Sequence, residues 1–185
     1  MRRRFVSILY KVFLFTFIIA IMVEVPCFCY ENNPLGLSAL GKSLLCDNTV
    51  WMSLSERERF NYMCGFVPHI NTGLGLPANT FPASRVHMMS VNDPNYLLAY
   101  AYTNYATGQI YINMGRINEK NQGGWVAVYA LSHEMRHLYQ DAFNTIPLNP
   151  QASVFNMAAY STDMREADAN TFANRMVTYV LNCAM

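Results

Sequence analysis

Residues 131–140, LSHEMRHLYQ, constrain this chain more than any other stretch, because they set two imidazoles four residues apart with a carboxylate beside the first. On an α-helix, positions i and i+4 lie on one face, so His133 and His137 can point at one spot and grip a single ion. Glu134 falls next to them. This is the H-E-x-x-H pattern, in which two neutral imidazoles bind Zn²⁺ and the intervening Glu takes a proton from the metal-bound water.

The surroundings suit that reading. Residues 109–114 alternate in a β-prone pattern, Asn121-Gln-Gly-Gly-Trp125 punctuates, and an apolar run leads into the motif. The motif helix is predicted to start near Gly124 and to stop before Asn144, where Thr145-Ile-Pro147 and Asn149-Pro150 follow. A catalytic zinc needs a third protein ligand and one open position. The segment MREADANTFA, residues 164–173, offers Glu166 at the head of a second helical pattern that has Ala169, Asn170 and Ala173 on the same face.

H-E-x-x-H followed by E-x-x-A-N-x-F-A resembles the small gluzincin-type zinc metallopeptidases, including those of the ImmA/IrrE kind. The resemblance spans roughly Tyr111 to Ala173. It implies a zincin-like domain, with His133, His137 and Glu166 as Zn²⁺ ligands, Glu134 as general base, Asn170 one turn past the third ligand, and a protein or peptide as substrate. Such chemistry also needs a donor for the developing oxyanion, and Tyr160, just before the third-ligand helix, is the candidate. Asn170 can face the site. Asp168 points elsewhere on an ideal helix and reads as a solvated or Arg-paired carboxylate, and Arg136 and Gln140 read as local packing or pairing residues.

Three rivals were weighed. A satisfied polar cluster between helices needs no Glu166. A di-iron carboxylate bundle needs E-x-x-H on two helices, and the chain has one copy, Glu134 to His137. The remaining alternative is a membrane-tethered module that binds zinc without turnover. It would have no use for Glu134.

The chain has 185 residues, enough for one domain after a targeting segment. Arg2, Arg3, Arg4 and Lys11 precede or interrupt an apolar run whose uninterrupted part, residues 12–23, has the length of a signal-peptide core. Residues 1–29 are therefore expected to be a signal peptide cut after Cys29 or a retained anchor, and residues 30–185 a single exported domain, secreted or extracytoplasmic. The first 29 residues hold four of the chain's 13 basic residues and one of its 12 acids. The remaining 9 and 11 give a body near −2, with no basic face for nucleic acid. Membrane contact is expected only through the N-terminal segment. Cys46, Cys64 and Cys183 remain, as one disulfide with a leftover thiol, Cys46–Cys64 joining neighbours, or as three buried thiols.

The fold expected is α+β, mainly helical, with a small antiparallel sheet. Residues 35–45 read as a helix, and Ser53-Leu-Ser-Glu56 as a capping box opening another that buries Phe60, Met63 and Cys64. Residues 65–84, rich in Gly, Pro and Asn, read as an extended connection that can shape a substrate cleft. Residues 85–91 read as a strand, and residues 97–105 with 109–114 as a hairpin turning at Gly108. Tyr100, Tyr102 and Tyr105 read as half-buried strand residues, and His69 and His87 as bystanders to the zinc. Export has a direct test: fractionation with external protease should find the body in the medium or accessible to the protease on intact cells. A body recovered from the cytoplasm with Met1 intact overturns it.

Overall fold

The computed structural model describes residues 39–119, 122–147 and 163–184. Over them the chain is α+β. Helices α1 (Ala39–Cys46), α2 (Asn48–Ser53), α3 (Glu56–Cys64) and α4 (Val67–Gly73) precede strands β1 (Val86–Met88), β2 (Ala101–Asn104) and β3 (Gln109–Ile112). Helices α5 (Met114–Asn118), α6 (Trp125–Ala142) and α7 (Met164–Ala184) complete it.

Helix α6 is the centre. Eleven of its 18 residues are buried, among them Ala127, Val128, Leu131 and Met135. A helix so covered has no free side. Before its exposed last two residues, Asp141 and Ala142, only a half-buried stripe of Trp125, Tyr129, His133, Arg136 and Tyr139 comes near the surface. One flank meets β2 and β3, another meets α4, and α7 runs along a third. Helix α7 turns Ala169, Phe172, Ala173, Met176, Val177 and Val180 inward at the three-and-four spacing of a packed helix. Burying a side chain such as Phe172 contributes about 1.5–3 kcal/mol. The Gly pair fixes where α6 begins. Gly123 has φ of 83°, and a Cβ on Gly124 would stand 2.7 Å from the Leu44 carbonyl oxygen and 2.8 Å from the Trp51 ring. Only glycine lets the helix start press against α1 and α2.

The sheet order is β1-β3-β2. Strands β2 and β3 form the expected hairpin, with Thr103 opposite Ile110 and Gly108 at φ of 63°. The all-antiparallel expectation fails at β1, which pairs parallel to β3, Val86 opposite Ile110 and Met88 opposite Ile112. Ile110 and Ile112 are fully buried, so β3 takes the middle of the sheet. Strand β1 then neighbours the second arm of the hairpin, and its direction matches. It is also shorter than expected, since Val91 is exposed.

Residues 65–84 are not without regular structure. Pro68 sits at the start of α4, where a missing N–H costs nothing. Val67, Ile70 and Leu74 are buried on one side. The capping box lies two residues later than expected: Ser55 and Glu58 cap each other at α3, because Ser53 closes α2, its hydroxyl donating to the Val50 carbonyl at 2.7 Å. Cys46, Cys64 and Cys183 form no disulfide with one another, and of the three only Cys183 is buried. Tyr160 and the targeting segment, residues 1–29, lie outside the described residues. Among the described residues no helix is long and apolar enough to cross a membrane.

After α4 the chain is pinned by one side chain. Asn71, fully buried, donates to the Ala78 and Phe81 carbonyls at 2.8 and 3.0 Å and accepts from the Phe81 N–H at 3.2 Å. Asn71→Ala leaves these groups unpaired, and the cost expected is about 1–3 kcal/mol for a stranded buried group. Chemical denaturation checks this; an unchanged midpoint refutes the pinning role.

Candidate metal centre

Helix α6 presents His133 and His137 on one face, one turn apart, toward the start of α7. Asp163 shapes that start. Its carboxylate accepts from the Arg165 and Glu166 N–H groups at 2.7 and 3.4 Å, satisfying helix-end donors that have no partner within the helix. Glu166 is thereby aimed back at α6.

The three side chains converge, one ligand atom from each lying within 4.8 Å of the other two. His133 Nε2 and His137 Nε2 are 3.0 Å apart, and Glu166 stands 3.2 Å from each, through Oε2 and Oε1 respectively. Ligand atoms about 2.0–2.1 Å from a tetrahedral Zn²⁺ stand about 3.3 Å from one another. The side chains fit such an ion. His137 Nδ1 lies 2.9 Å from Gln140 Oε1, an atom that only accepts, so the ring proton belongs on Nδ1 and a lone pair on Nε2 faces the cluster. Glu166 Oε2 is buried, and although His133 Nε2 stands 3.2 Å away, no hydrogen bond of good geometry reaches it. A buried acceptor left without a good hydrogen bond beside two converging imidazole nitrogens is what a cation would satisfy.

Without an ion the charges settle among the ligands. Burial drives the Glu166 carboxyl upward, but hydrogen bonds and charge from His133 and His137 outweigh it and hold the carboxyl well below its ordinary range. Burial works against the charged His137, yet Glu166, Glu134 and Gln140 together raise it above the usual imidazole value. An ion must displace that proton, so binding releases protons and weakens as pH falls.

Glu134 stays outside the cluster. It is 6% exposed, and its Oε2 accepts from the Thr103 hydroxyl on β2 at 2.8 Å. The strand touching the motif's carboxylate is thus β2, one strand earlier than the alternation at residues 109–114 suggests. Tyr129 lies nearly parallel to the His133 ring at 6.4 Å and donates to Asn170 Oδ1 at 2.8 Å, which places Asn170 beside the site. Burial, helped by the Glu166 charge, pushes the Tyr129 phenol up to about 12. Tyr105 stands edge-on to His137 at 6.3 Å, with the Arg165 guanidinium 5.2 Å over its ring. Although 37% exposed, its phenol is held above the ordinary value by burial and then by Glu134.

No protein-family model, curated protein or solved structure matches this chain. The site is therefore defined by its geometry. His69 packs on Phe66 and His87 on Tyr111, and neither joins the ligand group among the described residues. A surface recess on α7 lined by Thr171, Asn174, Arg175, Thr178, Tyr179 and Asn182 has no carboxylate, imidazole or thiol, so it offers an ion nothing. Asp168 is Arg-paired as expected, at 2.6 and 3.0 Å from Arg136. Gln140 pairs locally with His137, as expected, and both residues also reach across to α7, Gln140 to the Arg165 carbonyl and Asp168, and Arg136 to Asp168. Thr103 and Tyr105 escaped the sequence because strand contacts are non-local. Gln140 was within reach, as it stands three residues after a candidate ligand on the same helix.

One zinc per chain is expected by elemental analysis, with His133→Ala, His137→Ala and Glu166→Ala each abolishing stoichiometric metal. If His133→Ala keeps wild-type affinity while His69→Ala or His87→Ala loses the ion, the ligand set is wrong.

Proposed function

We propose that the protein is an exported zinc metallopeptidase, hydrolysing peptide bonds with His133, His137 and Glu166 as ligands and Glu134 as general base. The observation carrying this reading is the cluster of two imidazoles and one carboxylate, with a second carboxylate, Glu134, held outside it by Thr103. When bound, Zn²⁺ supplies a Lewis acid that polarises the scissile carbonyl and acidifies a water.

The chain's own groups do the rest. The Glu134 carboxylate accepts a proton from the attacking water and later delivers it to the leaving amine nitrogen. The Thr103 hydroxyl fixes one carboxylate oxygen, leaving the other to take the proton. Gln140 keeps the His137 lone pair directed at the ion. Tyr160 is proposed as the oxyanion donor from its sequence position. Tyr105, beside His137, is the described tyrosine that competes for that role.

In this proposal residues 1–29 carry the domain outward as a cleaved signal peptide or a retained anchor, and the partner is a protein or peptide rather than nucleic acid. Burial of Glu134 to 6% exposure favours one other reading, a tethered module that holds zinc without turnover.

Glu134→Gln decides between them. The exchange keeps shape and hydrogen bonding but removes the proton acceptor, worth typically about 10²–10⁴-fold in rate. On a mixed peptide library, zinc content and folding should stay as in wild type while cleavage falls by that factor. A folded, zinc-loaded wild type that cleaves nothing leaves the tethered module standing, whereas a variant as fast as wild type removes Glu134 from the role of general base.

A further inference from the structure

We infer that Gln140 is a positioning residue for this centre, holding both ligand-bearing helices in register and fixing the His137 ring through one buried amide. This rests on the metal reading above and concerns what aims the ligands. Gln140 is fully buried on α6. Its Nε2 donates to the Arg165 carbonyl at 2.9 Å and to Asp168 Oδ2 at 2.7 Å, two groups that only accept. The orientation of the amide is thereby settled, and Oε1 is left for His137 Nδ1 at 2.9 Å. Gln140 thus grips the backbone one residue before Glu166 while directing the lone pair of His137.

The other end of the network is anchored. Arg136 clasps Asp168 through two nitrogens and lies 4.7 Å over the Tyr139 ring and 5.6 Å from that of Phe172. The pair brings no net charge to the amide, so its effect is on direction. Arg165 adds a second tie, its guanidinium donating to the His137 carbonyl at 3.4 Å and the Ile146 carbonyl at 3.2 Å. His133 lacks such support: its Nδ1 is buried without a partner among the described residues, and its ring lies against Tyr129. The centre is held from the His137 side.

The test uses the full chain and reads three quantities: Zn²⁺ affinity by chelator competition, the visible absorption of the Co²⁺-substituted protein, and thermal unfolding of the ion-free form. Gln140→Met keeps length without hydrogen bonds. It should weaken Zn²⁺ binding by about 10–100-fold, the usual loss when a ligand's hydrogen-bonding partner is removed, and should alter the Co²⁺ bands. Asp168→Asn, at a partly exposed position, should move both readouts the same way by less, and it serves where Gln140→Met fails to fold. Asn71→Ala separates positioning from stability, because it should lower the unfolding temperature yet keep affinity and spectrum. Folded Gln140→Met or Asp168→Asn protein with wild-type affinity and bands overturns the inference. So does an Asn71→Ala protein that loses affinity in step. A wild type that takes up neither ion overturns the metal reading and this inference with it, which distinguishes the two failures.

Discussion

Two imidazoles and a carboxylate face one another between α6 and α7, largely out of water, and their neighbours are arranged to make that tolerable. Burying charged and polar groups costs several kcal/mol each unless partners replace the lost water. Glu166 and His137 meet part of that cost between themselves, and their opposed shifts from ordinary values record it. Gln140, Asp168 and Arg136 meet more on one side, and Tyr129 with Asn170 on the other. The unmet remainder sits at Glu166 Oε2 and His133 Nδ1. The first of these is where a cation would act.

The same burial gives two carboxylates, Glu134 and Glu166, different surroundings. Glu166 comes from a different helix, aimed by Asp163, and joins the imidazoles. Glu134 is covalent neighbour to the first imidazole yet turns to the sheet, where Thr103 meets it. Neither could exchange places without moving a helix. Helix α6 is held rigidly for this purpose, its start wedged by Gly123 and Gly124 against α1 and α2, its length covered by β2, β3 and α7. A site built on packed helices holds ligand geometry better than one on loops.

Much of this was legible in the residues. The i, i+4 imidazoles, the Gly pair before the helix and the prolines after it gave α6 to within a residue, because helix signals are local. The β2–β3 hairpin followed from alternation around Gly108. Helix α4 was not legible, since Pro68, Asn71 and Gly73 look like loop residues until Val67 and Ile70 find the core and Asn71 caps the following turn. The parallel pairing of β1 was equally hidden, because alternation tells which face a strand buries and says nothing of its neighbour.

The sequence by itself determined which residue types could bind an ion, the helix that carries two of them, and the spacing that lets them point together. The sequence also offered Glu166 as a third group, but tertiary structure alone brought it to the imidazoles, set Thr103 and Gln140 beside the cluster, and let Asp168 reach it through an amide. The physical reason is range. Periodicity along one helix fixes the direction of side chains on that helix, whereas contacts between α6, α7 and β2 depend on how buried faces from distant segments pack, and packing is settled only when the whole core closes.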